Sequence, residues 1–121
     1  RRAPQEPLHL PMPVDRRLLR IAHAVLKAPQ DNRSLESWAG HAGLSARSLS
    51  RLFRSETALS FAQWRQQARL SCALERLAEG MPVAQVAEAT GYASTSAFIV
   101  MFRRACGQSP ARYFERASTA A

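Results

Sequence analysis

Residues 60–80, SFAQWRQQARLSCALERLAEG, decide how the rest of this chain is read. Ser60 followed three residues later by Gln63 makes a capping box, in which each side chain satisfies a free backbone N–H at a helix start, and Gly80 offers a left-handed stop. Leu70, Ala73, Leu74 and Leu77 recur at i, i+3, i+4, i+7 and share one face. Phe61, Trp64 and Ala68 form a second apolar stripe, rotated from the first. One helix with two apolar stripes is expected to hold two lobes.

The flanks supply those lobes. LESWAGHAGLSARSLSRLFRSETALS (35–60) leads into the helix and VAQVAEATGYASTSAFIVMFRRACGQS (83–109) follows it. Ala39 and Ala87, and Gly43 and Gly91, stand 48 positions apart. Beyond the glycine the offset becomes 49, pairing Leu49 with Phe98, Phe53 with Phe102, Arg54 with Arg103 and Ser60 with Ser109. One extra residue in the turn accounts for the change. Two helical copies point to duplication of one supersecondary unit, since a solenoid needs three or more repeats to bury its faces.

Within the first unit, 34–57, Ser34 caps a short helix whose Leu35, Trp38, Ala39 and Ala42 face inward. Gly40 inside that helix costs about 1 kcal/mol relative to alanine. Gly43 stops it, Leu44 fills the turn, and Ser45 caps the next helix, with Leu49, Leu52 and Phe53 inward and Arg47, Ser48, Ser50, Arg51 and Arg54 outward. Two short helices joined by a tight glycine turn make a helix-turn-helix, whose second helix lies in the DNA major groove. An arginine fork matches guanine O6 and N7, and small serines let the backbone approach. The second unit, 82–106, repeats the plan: Pro82 suits a first helical turn, Val83, Val86 and Ala87 face inward, Gly91 and Tyr92 make the turn, and Ser94 caps. Phe98, Met101 and Phe102 then face inward, while Thr95, Ser96, Ile99 and Val100 are expected outward, the alternative being that Ile99 or Val100 packs under the last helix beside Tyr113 or Phe114. Gly107 ends this helix, and Ser109 with Pro110 opens a last short one carrying Arg112, Tyr113 and Phe114.

Farther out, Asp15 caps a helix running to about Ala28 with Leu18, Ile21, Ala22 and Val25 on one face, a brace for the first lobe. Residues 1–14 hold Pro4, Pro7, Pro11 and Pro13 without periodicity, and are expected to be a linker from a preceding domain. Residues 117–121 read as a frayed tail, which leaves 15–116 as the folded domain.

Charge narrows the function. Seventeen Lys+Arg against nine Asp+Glu give a formal +8, with arginine far outnumbering lysine, which suits an anionic, phosphate-rich partner. Cys72 and Cys106 lack metal-ligand spacing and read as buried thiols in a reducing compartment, so neither a metal nor a cofactor is expected. No apolar run approaches the roughly 20 residues of a membrane span, so no membrane partner is expected. His9, His23 and His41 lack spaced Cys, Asp or Glu partners, and there is no glycine-rich phosphate loop, so no enzyme is expected. The aromatic residues sit on inner stripes, which argues against RNA recognition by base stacking.

Together GLSARSLSRLFR, RLSCALERLAEG and GYASTSAFIVMFRRACGQSPARYF, in this order, resemble the DNA-binding domain of the AraC/XylS family of bacterial transcription regulators. The resemblance covers residues 34–116, about two-thirds of the chain. It implies an all-α fold of about seven helices, with two helix-turn-helix units on a long linker helix, and sequence-specific binding of double-stranded promoter DNA in successive major grooves. Carried over by position, it implies base reading by Arg47, Ser50, Arg51, Thr95, Ser96, Ile99 and Val100. Ser45, Ser48, Arg54, Ser94, Arg103, Arg104 and Arg112 are the expected phosphate contacts. RNA polymerase is a further partner of such regulators, which act in the bacterial cytoplasm at the nucleoid. This stretch is expected to be monomeric, with dimerisation and effector sensing left to the preceding domain. The same module also occurs fused to DNA-repair enzymes, and a sequence-general nucleic-acid binder is the remaining alternative. Many members carry Arg at the place of Val100 and Gly at the place of Ala58, so the second unit is expected to read less by hydrogen bonds. The end of the first recognition helix is expected to be strained.

Overall fold

In the computed structural model residues 10–114 are described, and they form helices without strands. The elements are α1 (Arg16–Lys27), α2 (Leu35–His41), α3 (Ala46–Thr57), α4 (Phe61–Ala78), α5 (Val83–Ala89), α6 (Thr95–Cys106) and a short α7 over 110–114. Each expected cap is present. Asp15, Ser34, Ser45, Ser60 and Ser94 accept backbone N–H bonds at the starts of α1, α2, α3, α4 and α6, and Ser60 with Gln63 closes the full capping box. Pro82 sits one position earlier than expected, at the N-cap of α5, where it offers no side-chain acceptor.

The two stripes of α4 do what their rotation predicts. Phe61, Trp64 and Ala68 enter a first core with Leu18, Ile21, Ala22, Val25, Trp38, Ala39, Leu49 and Phe53, drawn from α1, α2 and α3. Leu70 and Ala73 enter a second with Val86, Ala87, Phe98, Met101 and Phe102, from α5 and α6. No residue belongs to both cores. Edge-to-face aromatic contacts give each core its specific geometry: Phe53 meets Phe61 at 5.3 Å and Trp64 at 5.4 Å in the first. In the second, Phe98 meets Tyr92 at 5.5 Å, and Phe102 meets Tyr113 of α7 at 5.6 Å. Such pairs add about 0.5–1.5 kcal/mol each beyond the area they bury.

Residues 10–14 depart from the expected linker and lie on the first lobe. Leu10 packs against its core, Pro13 is buried, and the Trp64 indole N–H donates to the Pro11 carbonyl at 2.6 Å. The Glu56 carboxylate, near the end of α3, accepts the backbone N–H groups of Val14 (2.7 Å) and Asp15 (2.9 Å). These partners lie 41 to 53 residues away, beyond the reach of local pattern reading.

Candidate nucleic-acid interface

Two helices of equal length carry the outward residues that the sequence singled out, and each is entered and left in the same way. α3 starts at Ser45 and α6 at Ser94, 49 positions apart, and each serine oxygen accepts the backbone N–H three residues on, Ser48 and Ala97 respectively, at 3.0 Å. The Ser45 hydroxyl also donates to Ser48 Oγ at 3.0 Å, tying two expected phosphate contacts into the helix start. At the other end the chain turns left-handed at Ala58 (φ 68°) and at Gly107 (φ 82°), the same position in the two copies. Ala58 is the one non-glycine residue with positive φ among the described residues. The strain expected there is present.

On α3, burying Leu49 and Phe53 turns Arg47, Arg51 and Arg54 to solvent, while Ser48 and Ser50 are half-buried between them. On α6, burying Phe98, Met101 and Phe102 leaves Ser96, Val100, Arg103 and Arg104 exposed and Thr95 half-buried. Ile99 is not fully outward: it is half-buried and packs on the second core, whose partly buried shell includes Tyr113 and Phe114. Val100 is 51% exposed. Arg103 and Arg112 line one polar recess with Gly107, Gln108 and Ser109, and Ser109 Oγ accepts the Arg112 backbone N–H at 3.3 Å. The outward faces of the two units therefore differ in the first turns, where α3 presents the forks of Arg47 and Arg51 and α6 presents Thr95, Ser96 and Val100, its arginines Arg103 and Arg104 standing in the last turn.

Two of the three arginines of α4, Arg65 and Arg69, are occupied within the fold. Arg65 Nη1 donates to the Arg33 carbonyl at 3.0 Å and its guanidinium lies over Phe61. Arg69 binds two backbone carbonyls and a side-chain amide: Nε donates to the Pro29 carbonyl (2.8 Å), and Nη2 to the Asp31 carbonyl (3.0 Å) and to Asn32 Oδ1 (2.7 Å). Burial, followed by the like charge of Arg65, pulls Arg69 below the usual guanidinium range. Cys72 and Cys106 are free and half-buried, and burial raises both thiols above their ordinary value, which keeps them protonated and poorly nucleophilic. Among the described residues no group of His, Cys, Asp and Glu could hold a metal ion, and no helix is long and apolar enough to cross a membrane.

A family model described as a helix-turn-helix domain matches residues 38–116, which takes in both units and the helix between them. The chain belongs to the AraC-type helix-turn-helix family. Across 96% of its length this AraC-type chain is 44% identical to the HTH-type transcriptional regulator NimR of Escherichia coli, and it covers 42% of that protein. It is 36% identical over 85% of its length to the HTH-type transcriptional regulator RipA of Corynebacterium glutamicum, covering 31% of it. The chain thus spans less than half the length of these relatives. Among solved structures, the DNA-binding domain of AdpA, a global transcriptional factor crystallised with a target DNA, superposes with a TM-score of 0.72 at 32% identity, over 78% of this chain and 86% of that one. The C-terminal domain of AraT, a response regulator of Geobacillus stearothermophilus, gives 0.74 at 30% identity over 82% and 84%. The AraC-type match and the internal repeat describe one object, since the matched region begins in α2 and takes in α3 to α6.

Proposed function

We propose that this chain is the DNA-binding part of a bacterial transcription regulator, which recognises a specific double-stranded promoter sequence by laying α3 and α6 into successive major grooves. The observation that carries the reading is the pairing of two identically capped helices with solvent-facing polar surfaces, held on the two ends of α4. At about 1.5 Å per residue the 18 residues of α4 span roughly 27 Å. With its flanking turns a helix of that length can hold two recognition helices ~34 Å apart, one DNA turn. The family membership and the AdpA domain's complex with its target DNA support the same use.

Roles follow from chemistry and exposure. Arg47 and Arg51 supply forks to guanine from α3, with Ser50 between them, and Ser96, Thr95 and Val100 supply hydroxyl and methyl contacts from α6, with Ile99 shared between the groove and the core. Ser45, Ser48, Arg54, Ser94, Arg103, Arg104 and Arg112 hold phosphates and set the register. The greater length of the relatives suits a further domain that senses an effector and dimerises, and the whole regulator works in the cytoplasm, where RNA polymerase is its second partner. Titrating the chain with promoter duplex and with random duplex of equal length tests the reading. Tighter binding to the promoter by at least about a hundredfold is expected, since specific sites exceed random ones by roughly 10³ to 10⁷ in full assemblies. Equal affinities would refute sequence-specific recognition.

A further inference from the structure

We propose that Arg69, together with Asn32, is a latch that fixes the relative placement of the two recognition helices and so determines which half-site spacing the chain accepts; the spacing part rests on the DNA-binding reading above. Arg69 sits near the middle of α4, at the step between the stripe that serves the first core and the stripe that serves the second. Its three acceptors, Pro29 O, Asp31 O and Asn32 Oδ1, all belong to the loop that enters the first unit. The other side of the same guanidinium meets the turn of the second unit: it lies 6.0 Å from the Tyr92 ring centroid. A Cβ placed on Gly91 would fall 3.0 Å from Nη2, 3.1 Å from Cζ and 3.1 Å from Gln30 Cα. Asn32 closes the bridge, accepting from Arg69 and donating through Nδ2 to the Gly91 carbonyl at 3.4 Å.

The consequence is mechanical. The two cores share no residue, so without this contact the lobes depend on one helix and on side-chain packing around it. Adding one base pair between half-sites moves the second groove by about 3.4 Å and turns it by roughly a tenth of a helical turn. A rigid pair of recognition helices cannot follow that movement, whereas a loosened pair can. A planar fork reaches three acceptors at fixed angles, and a lysine ammonium on a flexible stem does not. Arg69→Lys therefore keeps the charge and opens the latch, which separates this role from a phosphate contact.

Two measurements test it. Distance distributions between spin labels at Glu36→Cys on α2 and Gln85→Cys on α5, with Cys72 and Cys106 replaced by serine, read the latch without DNA. A narrow distribution is expected with Arg69 present and a broader one with Arg69→Gln or Arg69→Lys, and an unchanged width would overturn the latch. Affinities for duplexes whose half-sites are one base pair closer or farther apart read its effect on recognition. The parent chain should lose about tenfold or more at either altered spacing, comparable to a mismatched base pair, and the variants less than about threefold relative to their own best site. A uniform loss at every spacing, or wild-type behaviour of Arg69→Lys, would overturn the proposal. Should the Arg69 variants fail to fold, Asn32→Ala, at an exposed loop position, removes the bridge alone and should shift both readouts the same way. A parent chain that prefers no duplex would refute the DNA-binding reading, while the label distances would still judge the latch.

Discussion

At single residues the internal repeat acts as its own control. Ala58 and Gly107 occupy the same left-handed position after α3 and α6, and an L-residue there has its Cβ crowded against the following carbonyl. Ala58→Gly should raise stability by about 0.5–1 kcal/mol, the relief of that crowding less the extra freedom glycine brings to the unfolded chain. Gly40 presents the reverse case: it lies in the body of α2, exposed, and a Cβ there meets nothing within 4 Å. Gly40→Ala should stabilise by a similar amount, about 0.5–1 kcal/mol. Thermal unfolding of the two single variants and their pair checks both, and a lowered midpoint for either would contradict its argument. For recognition, Arg47→Ala and Arg51→Ala should each cost about 1–3 kcal/mol on the preferred site and much less on random DNA, because a guanine fork is lost only where there is a guanine. Equal losses on both kinds of DNA would make these side chains phosphate contacts.

At the scale of elements, helix boundaries were legible because the signals that set them are local. A serine oxygen reaches an N–H three residues away, and a left-handed stop acts at its own residue, so the starts of α1, α2, α3, α4 and α6 can be read from short windows. The division of α4 between two cores was legible for the same reason, as a rotation between two stripes. Contacts that join distant segments were not: the docking of residues 10–14 through Glu56 and Trp64, and the carbonyl acceptors of Arg69, depend on backbone groups that any residue type would supply. Ile99 shows the limit within a helix, since which of the adjacent Ile99 and Val100 joins the second core is a tertiary fact. The start of α1 yields a pH prediction. Asp15 caps the helix and binds Arg17 at 2.9 Å, and this bonding lowers its pKa to about 2, against roughly 3.9 in an unfolded chain. A depressed folded pKa means the contribution is present above the unfolded value and is lost as pH falls through about 2. The gap in unfolding midpoint between the parent chain and Asp15→Asn should therefore shrink from pH 6 to pH 2, and shrink further in high salt because the pair is exposed. A gap that does not change with pH would show that the Asp15 charge adds nothing to the cap that an amide does not supply.

For the whole molecule, net charge and the chemistry of the two units make separate predictions about how tightly and how selectively DNA is held. With a formal +8 and about seven phosphates neutralised, log K should fall with log salt at a slope near −6, and a slope near zero would exclude a phosphate-tracking interface. Selectivity should be uneven between the units. α3 presents Arg47 and Arg51, and the repeat counterpart of Arg51 on α6 is Val100, 49 positions on. With Ile99 drawn onto the second core, Val100 is the apolar surface that α6 has to offer a groove. A valine can meet the thymine C5-methyl group, which favours A·T pairs, but it makes no hydrogen bond to a base edge and discriminates less than a guanine fork. Phosphate contacts from Arg103, Arg104 and Arg112 would then make the second unit a clamp that sets register more than sequence. The expected operator is asymmetric, with a strongly specified half under α3 and a looser, A·T-leaning half one turn away. Selection from randomised duplexes decides it, and Val100→Arg sharpens the test by restoring to α6 the fork that α3 carries. The variant should raise the information in the second half and move it toward G·C, leaving the first half unchanged. Equal information in both halves of the parent chain's site, or a G·C-rich second half before the substitution, would show that Ser96 and Thr95 read bases unaided by Val100.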